Sequence, residues 1–470
     1  MTGLPSGDGR AIHMVGIGGA GMSALARLAL QAGYRVSGTD RASSGVLADL
    51  EALGARVSVG HSAAAVAPDV AALVVSTAIA ADNPERREAE RRGIPIMHRS
   101  ELLVELMRGH RRLAVAGAHG KSTTSAMLVA ALGDASACVG ATIAGGGGTG
   151  ALWGTGAWFV AEADESDRSL LRLEPEGVIL LNVDHDHHTT YPSIDAVEAV
   201  FAEFLNRVPA DGMIVAGPEP QAPARAWRLA AASGRPHRLV GDGPGAWARI
   251  GAREADGVWI DVADGRRVRL RLQVPGTHNT ANAACALALA DWCGVPLEVA
   301  ADRLAGFAGV GRRFEFRGSA AGVEVVDDYA HHPAEIRATL RGARERHPGR
   351  LVAIFQPHLY SRTRALADEL ADALGGADVA IVTEIYAARE APDPGISGRR
   401  VADAVPPPTH AEFAATLDDA LVAALRLVRP GDLVLTLGAG DITELGEELL
   451  RRLEYQYPVH SAGGGASDSD

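Results

Sequence analysis

The sequence has almost no lysine: Lys121 is the single lysine, and every other member of its 45 lysine and arginine residues is arginine. Arginine can replace lysine wherever a position needs only a positive charge. A loop that cradles phosphate is different, because it needs a slim ammonium group and a broad planar guanidinium does not fit there. The scarcity of lysine therefore directs attention to the stretch GAHGKSTT at residues 117–124.

An excess of positive charge is also missing. The formal net charge is -13, the pI is about 5.7, and no basic block is present, which argues against nucleic-acid and membrane-surface partners. The three cysteines, Cys138, Cys285 and Cys293, have neither disulfide nor zinc spacing. Residues 1–10 lack an apolar signal core, and no apolar run approaches the ~20 residues of a membrane span. We therefore expect a soluble, cytoplasmic enzyme with no nucleic-acid partner and no membrane insertion.

The lysine loop lies between a predicted strand, Arg112–Ala116, and a predicted helix, Ser122–Leu132. Its glycines allow backbone N–H groups to turn toward an anion at the start of that helix. The Ser122 hydroxyl would lie where it could bind the magnesium of a nucleotide. The general phosphate-loop pattern has glycine where this chain has Val115, so the loop is a shortened variant. A glycine-rich turn with a stray lysine remains the alternative.

A second glycine-rich loop lies near the N-terminus. The predicted strand Ala11–Val15 leads into a G-x-G-x-x-G pattern at Gly16–Gly21, and a predicted helix follows. The next strand ends near Asp40, at about the distance where a dinucleotide fold places its ribose-binding carboxylate. This pattern suggests an NAD-dependent oxidoreductase, but a helix N-terminus can hold the diphosphate of any nucleotide. A tight turn without a ligand is a third possibility.

Two predicted strands in the middle of the chain end in metal-binding side chains. Residues 158–167 run into the acidic EADESD stretch that begins at Glu162, and residues 178–188 run into a group of aspartates and histidines. The ends of parallel strands line the ligand crevice of an α/β sheet, so these groups could converge on the phosphates at Lys121. An oxygen-rich set beside phosphate favours magnesium. The alternatives are solvated loop charges and a transition-metal site.

Further along the chain, Asn279 and Asn282 lie three residues apart at a predicted helix start, where they would share a face and could pair with a purine edge. Helix capping is the alternative for Asn279. The alternation of strands and helices predicts an α/β fold of three domains: residues 1–110 and 317–458 are expected to be Rossmann-like, and residues 111–316 to be a central P-loop domain with a mostly parallel sheet. Residues 459–470 are rich in Gly, Ser and Asp and are predicted to be disordered.

Taken together, these motifs resemble those of the Mur ligase family over almost the whole chain. The motifs that carry the resemblance are, in order, GIGGAGMS at Gly16–Ser23, GAHGKST at Gly117–Thr123, EADESD at Glu162–Asp167, DH at Asp186–His187, GTHNTAN at Gly276–Asn282, RRF at Arg312–Phe314, DDYAHHP at Asp327–Pro333 and FQPH at Phe355–His358. Several motifs in the right order are far more specific than either glycine loop.

The resemblance implies an ATP- and Mg²⁺-dependent ligase that joins the lactyl carboxylate of UDP-N-acetylmuramate to L-alanine through an acyl phosphate, in peptidoglycan precursor synthesis, as a monomer or homodimer. It implies that the first loop holds the UDP of the substrate, which would make the first domain UDP-binding and would remove the NAD interpretation. A related ligase that adds a preformed peptide is the nearest alternative.

The resemblance also implies roles for individual residues. Substrate binding would fall to Gly16, Gly18, Gly19, Gly21, Met22, Ser23, Asp40, Tyr329 and Arg362. Nucleotide binding would fall to Gly117, His119, Gly120, Lys121, Ser122, Thr123, Asn279, Asn282, Arg313 and Asp328, the last two from opposite sides of the second domain junction. The catalytic set would be Lys121, Glu162, His187 and His331, and the magnesium ligands would be Ser122, Glu162 and His187.

Overall fold

The computed structural model describes residues 9–143, 149–185, 190–218, 224–388 and 390–456. The chain divides into two compact units, one formed by Met1–Gln273 with Asn279–Val310 and the other by Val274–His278 with Gly311–Asp470. Among the described residues, no helix is both long enough and apolar enough to cross a lipid bilayer.

The first sheet has five parallel strands in the order β3-β2-β1-β4-β5. Its elements are β1 (Ala11–Val15), α1 (Ala20–Gln31), β2 (Arg35–Asp40), α2 (Gly45–Ala52), β3 (Arg56–Val59), β4 (Val70–Val75), α3 (Pro84–Arg92), β5 (Ile96–His98) and α4 (Arg99–Leu106). The strand order reverses direction between β1 and β4. Ligands of open α/β sheets bind outside the carboxyl ends of the strands at such a reversal, and the glycine loop at residues 16–21 lies there.

The second sheet has the order β12-β11-β10-β6-β9-β7-β8 and is parallel except for its edge strand β8. Its elements are β6 (Arg111–Ala116), α5 (Lys121–Leu132), β7 (Ser136–Cys138), β8 (Ala151–Leu152), β9 (Trp158–Glu162), β10 (Gly177–Leu180), α6 (Ile194–Leu205), β11 (Met213–Ala216), α7 (Arg225–Ala232) and β12 (His237–Leu239). One buried apolar cluster runs from Ile12 in the first sheet to Ala230 beside the second. The two sheets therefore share a packed core.

The middle of the chain also contains two further helices and a small antiparallel sheet of three strands. These elements are β13 (Ala248–Glu254), β14 (Gly257–Val262), β15 (Arg267–Leu270), α8 (Thr277–Trp292) and α9 (Leu297–Ala305). The helix α8 is almost wholly buried from Asn279 to Ala290, which explains its run of alanine and leucine in place of an amphipathic pattern.

The C-terminal sheet has the order β16-β17-β21-β18-β19-β20 and is parallel except for the edge strand β16. Its elements are β16 (Glu315–Ala320), β17 (Val323–Asp328), α10 (Pro333–Arg346), β18 (Leu351–Phe355), α11 (Tyr360–Leu374), β19 (Val379–Thr383), α12 (Arg399–Ala402), β20 (His410–Ala414), α13 (Leu417–Leu427), β21 (Leu433–Leu437) and α14 (Thr443–Gln456). The central strands β18 and β21 are buried along their whole length, as expected for a parallel sheet covered on both faces.

The structure therefore has an α/β architecture with mostly parallel sheets, as the sequence predicts. The predicted boundary between residues 316 and 317 falls inside β16, which pairs with β17, and the C-terminal unit begins at Gly311. The division into three domains at residues 110 and 316 otherwise stays a prediction, and the tail at residues 459–470 lies outside the described residues.

Candidate active site

The lysine loop connects the carboxyl end of β6 to the N-terminus of α5, as predicted. Gly117 and Gly120 adopt positive φ angles of 132° and 85°, a backbone region that favours glycine. A Cβ atom at Gly117 would lie 3.1 Å from the backbone of Asn182, and one at Gly120 would lie 3.1 Å from the Asn282 side chain. At both positions, the positive φ angle and the close neighbouring atoms therefore favour glycine over any residue with a side chain.

Asn182 holds this loop in place, a role that the sequence motifs did not indicate. Its Oδ1 accepts a hydrogen bond from the His119 backbone N–H at 2.9 Å, and its Nδ2 donates to the His119 carbonyl oxygen at 2.9 Å. Asn182 follows β10, which is the neighbour of β6 in the sheet. The side chain of His119 also lies 3.3 Å from a carboxylate oxygen of Asp184.

Lys121 lies at the first position of α5 with its ammonium group turned back into the loop. Its Nζ donates to the carbonyl oxygens of Gly117 at 2.8 Å and Ala118 at 3.2 Å, and to Oε1 of Glu165 at 3.0 Å. Burial alone would lower the pKa of Lys121, but the nearby carboxylates of Glu165, Asp164 and Glu162 raise it above its usual value. The lysine is therefore held positively charged at the position where a phosphate would bind.

The acidic EADESD stretch begins at the last residue of β9, which lies on the other side of β6 from β10. Its first member, Glu162, accepts a hydrogen bond from the Gly140 backbone N–H at 2.8 Å. Its fourth member, Glu165, is buried and pairs with Lys121. The sequence singled out Glu162 but not Glu165, although both belong to the same motif. Glu165 is fixed further because the Tyr191 hydroxyl donates to its carbonyl oxygen at 2.5 Å.

The remaining predicted nucleotide and metal residues fall into three groups. Ser122 and Thr123 are buried in the first turn of α5. Asn279 and Asn282 share a face of α8 as predicted, where Nδ2 of Asn282 lies 3.4 Å from Oδ1 of Asn279. His187, with Asp186, lies outside the described residues.

The N-terminal glycine loop has the expected strand-loop-helix setting. The backbone N–H groups of Gly16 and Ile17 donate to the Thr39 carbonyl oxygen, and Gly19 caps α1. The Asp40 side chain contacts this loop, because its Oδ2 accepts a hydrogen bond from the Gly18 N–H at 2.9 Å. A Cβ atom at Gly18 would approach that oxygen to 2.9 Å, so glycine is required for this contact.

The residues that follow this loop belong to α1. Met22 is buried in the apolar core, and the Ser23 hydroxyl donates to the Ala20 carbonyl oxygen at 3.1 Å. Both residues could therefore contact a ligand mainly through their backbone. Gly21 faces Arg99 of α4, because a Cβ atom at Gly21 would lie 3.2 Å from Nη1 of that arginine.

In the C-terminal unit, Arg313 and Asp328 lie on the same side of the boundary at Gly311, in contrast to the prediction that they flank the junction. Asp328 ends β17 and accepts hydrogen bonds from the Phe314 and Ala330 backbone N–H groups and from the Thr339 hydroxyl. Burial raises the pKa of Asp328 to about 6, and the neighbouring Arg313 acts in the opposite direction.

Three predicted substrate and catalytic residues, Tyr329, His331 and Arg362, come together near His358 in the same unit. The ring of His331 makes edge contacts with Tyr329 at 5.3 Å and with His358 at 5.7 Å between ring centroids. Arg362 is buried, and its Nη1 lies 3.2 Å from Nδ1 of His358. The sequence placed His358 in a motif without giving it a role. The next residue, Leu359, has a φ of 70°, which is strained for leucine and of the kind concentrated at functional sites.

The glycine-rich loop at the end of a buried strand, the charged lysine inside it and the carboxylates beside it define a P-loop protein that handles phosphate. The comparisons with known proteins give its family. Three families match, described as Mur ligase family, catalytic domain (residues 11–111), Mur ligase middle domain (residues 115–290) and Mur ligase, glutamate ligase domain (residues 312–440).

Relatives and solved structures agree with these matches. A UDP-N-acetylmuramate–L-alanine ligase from Saccharopolyspora erythraea is 44% identical over 459 residues, which cover 94% of this chain and 93% of that protein. The structure of the UDP-N-acetylmuramate-alanine ligase MurC from Thermotoga maritima matches with a TM-score of 0.80 and 28% identity, over 95% of this chain and 100% of that one. A murein peptide ligase from Psychrobacter arcticus matches with a TM-score of 0.71 and 25% identity, over 95% and 99%. This chain belongs to the Mur ligase family.

Proposed function

We propose that this protein is an ATP-dependent ligase that joins the lactyl carboxylate of UDP-N-acetylmuramate to L-alanine, a step in peptidoglycan precursor synthesis. The observation that carries the proposal is the geometry at Lys121, where a charged lysine lies in a phosphate loop between the strand that ends at Glu162 and the strand that is followed by Asn182. The relative at 44% identity, whose name states this reaction, supports the choice of substrates.

The first chemical step follows from the chemistry of a carboxylate. An amine does not attack a carboxylate at neutral pH, so the lactyl carboxylate must first be activated. A carboxylate oxygen attacks the γ-phosphorus of ATP, the bond from that phosphorus to the bridging oxygen breaks, and ADP leaves behind an acyl phosphate. Lys121 and the loop N–H groups stabilise the charge on the transferred group, so that catalysis consists mainly of positioning and electrostatic stabilisation.

The donor set beside the loop fits a magnesium ion. The Ser122 hydroxyl lies in the first turn of α5, and Glu162 lies at the end of the adjacent strand, so both offer the oxygen ligands that Mg²⁺ prefers. We propose these two residues as magnesium ligands together with His187. The bound ion would neutralise phosphate charge during the transfer.

The second step forms the amide. The alanine amine attacks the acyl carbon, the bond from that carbon to the phosphate oxygen breaks, and inorganic phosphate leaves while the nitrogen loses a proton. We propose His331 as the base that accepts this proton. Its Nδ1 donates to the Tyr329 carbonyl oxygen at 2.9 Å, which assigns the proton to Nδ1 and the lone pair to Nε2.

A ligase that adds a preformed peptide to the same UDP sugar is the competing proposal, supported by the similarity to the murein peptide ligase. The test is ADP release measured across a matrix of UDP-muramyl acceptors with amino acids and peptides. We expect ADP only when UDP-N-acetylmuramate, L-alanine and Mg²⁺ are all present. Glycine and L-serine should be poor substitutes. The discrimination against them should nevertheless be partial, because a pocket that discriminates by shape alone gains only about 1 to 3 kcal/mol. Preference for a di- or tripeptide over L-alanine would establish the competing activity instead.

A further inference from the structure

Arg99 occupies an unfavourable position for a cation. It is the first residue of α4, where the partial positive charge of the helix N-terminus disfavours a positive side chain by about 0.3 to 1 kcal/mol. Residues that break a local rule of this kind concentrate at functional sites. None of the sequence motifs includes Arg99, so the motifs assign it no function.

The contacts of Arg99 leave much of its guanidinium group unused. Nη2 alone forms ion pairs, at 3.2 Å to Asp164 and 3.3 Å to Asp167, and both distances exceed the 2.7–2.9 Å typical of charge-assisted hydrogen bonds. Within the part of the chain that the structure describes, neither Nε nor Nη1 has a hydrogen-bond partner. The side chain is 27% exposed, so these donors can reach a ligand.

One of the unused donors, Nη1, lies next to the N-terminal glycine loop. Nη1 lies 3.2 Å from the position that a Cβ atom would take at Gly21, so a larger residue there would crowd the guanidinium group. The proposed function places the diphosphate of the UDP sugar on this loop, at the start of α1. Arginine suits such a ligand because its planar group can donate two parallel hydrogen bonds to phosphate oxygens.

Arg99 also borders a cavity of about 100 Å³ that joins this loop to the phosphate-transfer residues. Gly21 and Leu25 of α1 line one side, and Gly140, Glu162 and Asp164 line the other. Arg99 is the one cationic side chain among the described residues that line it. A ligand that extends from the glycine loop toward Glu162 would therefore pass beside Arg99.

We propose that Arg99 binds the diphosphate of the UDP sugar and positions that substrate between the glycine loop and the acidic stretch at Glu162–Asp167. This inference rests on the proposed function. Without ligand, Asp164 and Asp167 hold the guanidinium group; with ligand, Nε and Nη1 donate to phosphate oxygens. Arg99 is thus a substrate-positioning residue that acts on binding and does not take part in phosphate transfer.

The test is the dissociation constant of UDP and of UDP-N-acetylmuramate, each measured by calorimetry without ATP. Arg99→Ala should weaken both ligands by the same factor, about 10-fold or more, because both carry the diphosphate and lose a charge-assisted hydrogen bond. Arg99→Lys should give an intermediate loss, since it retains the charge but not the bidentate geometry. Arg108→Ala is the matched control: Arg108 lies just beyond the end of α4, is largely exposed and pairs with Glu105, and its removal should change neither constant.

Each other outcome overturns a defined part of the proposal. If Arg99→Ala weakens UDP-N-acetylmuramate but not UDP, the arginine faces the sugar or its carboxylate, and the diphosphate assignment is wrong. If neither dissociation constant changes in a folded variant, Arg99 has only a structural role as the ion-pair partner of Asp164 and Asp167. If Arg99→Ala fails to fold, Arg99→Lys decides between the same outcomes. A wild-type protein that binds neither ligand would overturn the proposed function itself.

Discussion

Lys121 is the central residue of the proposed phosphate transfer. Its ammonium group fills a narrow space between the carbonyl oxygens of Gly117 and Ala118 and the carboxylate of Glu165. The side chain is 14% exposed, so the space around it cannot expand into solvent to accept a larger group. This geometry explains why the chain keeps lysine here while using arginine everywhere else.

Lys121→Arg should abolish ligation although it keeps the positive charge. We expect at least a ~10²-fold loss of kcat, the scale of removing one transition-state hydrogen-bond donor. The measurement is the initial rate of ADP release at saturating substrates, with circular dichroism to confirm folding. Arg87→Lys, an exposed exchange on α3, is the control and should leave the rate unchanged. Near-normal turnover by Lys121→Arg would contradict the role given to this side chain.

Asn182 should affect ATP binding through the loop that it holds. In Asn182→Ala the His119 backbone loses both its hydrogen bonds to this side chain, and the loop N–H groups lose their fixed orientation. We expect kcat/KM for ATP to fall about 10-fold, the equivalent of one or two net hydrogen bonds. The KM for L-alanine should not change. Asn206→Ala, at the end of α6, controls for loss of an asparagine, and an equal effect in both variants would count against a specific role for Asn182.

At the residue scale, the members of local motifs could be predicted from the sequence. The residues that contact loops far away along the chain could not be predicted. Lys121, Ser122 and Glu162 follow from short patterns whose chemistry depends on neighbours along the chain. Asn182 and Arg99 act on loops 63 and 78 positions away, at His119 and Gly21 respectively. Contacts of that kind depend on which strands are neighbours in a sheet, and no local pattern specifies the strand order.

At the scale of secondary-structure elements, α3 is tied to the first sheet through one buried carboxylate. Glu85 of α3 is fully buried and pairs with Nε2 of His13 on β1 at 3.1 Å, and with the Thr39 hydroxyl on β2 at 2.8 Å. Nδ1 of His61 lies 3.0 Å from Oε1 of the same carboxylate. Burial alone would raise the pKa of Glu85, but the hydrogen bonds from His13 and Thr39 lower it below its usual value.

Glu85→Ala should destabilise the first sheet by about 2 to 4 kcal/mol, because several buried donors lose their common acceptor. Hydrogen exchange of peptides from β1 and β2 is the suitable measurement, since a chain of several domains need not unfold in two states. Glu90→Ala on the same helix removes an exposed carboxylate that pairs with Arg86, and should cost less than about 0.5 kcal/mol.

The pH dependence of this contact has a definite sign. The pKa of Glu85 is lower in the folded protein than in the unfolded chain, so the ionised carboxylate stabilises the fold above its unfolded pKa. That stabilisation is lost as the pH falls through the folded pKa. The difference in protection between wild type and Glu85→Ala should therefore shrink under acid conditions. A difference that is constant with pH would show that Glu85 acts through packing alone.

At the scale of the whole molecule, the fold class could be predicted because each buried strand is followed by a loop and a helix. The boundary between the central and the C-terminal domain was harder to predict than the fold class. Arg312–Phe316 looked like the end of the central domain, but β16 begins at Glu315 and pairs with β17 as an antiparallel edge strand. Its sequence, EFRGSA, is mostly part-buried or exposed and contains a glycine, so it lacks the apolar run or clear alternation that marks a strand.

The proposed mechanism requires that the carboxylate of the UDP sugar is phosphorylated at the Lys121 site before the amide forms. The measurement that tests it most directly uses UDP-N-acetylmuramate with ¹⁸O at both oxygens of the lactyl carboxylate. The wild-type protein should turn over this substrate with ATP and L-alanine, and the released phosphate is analysed by mass spectrometry. We predict one ¹⁸O atom in each phosphate released, because the acyl C–O bond breaks when the amine attacks. Phosphate without ¹⁸O would mean that ATP is hydrolysed without an acyl phosphate, and would contradict the account.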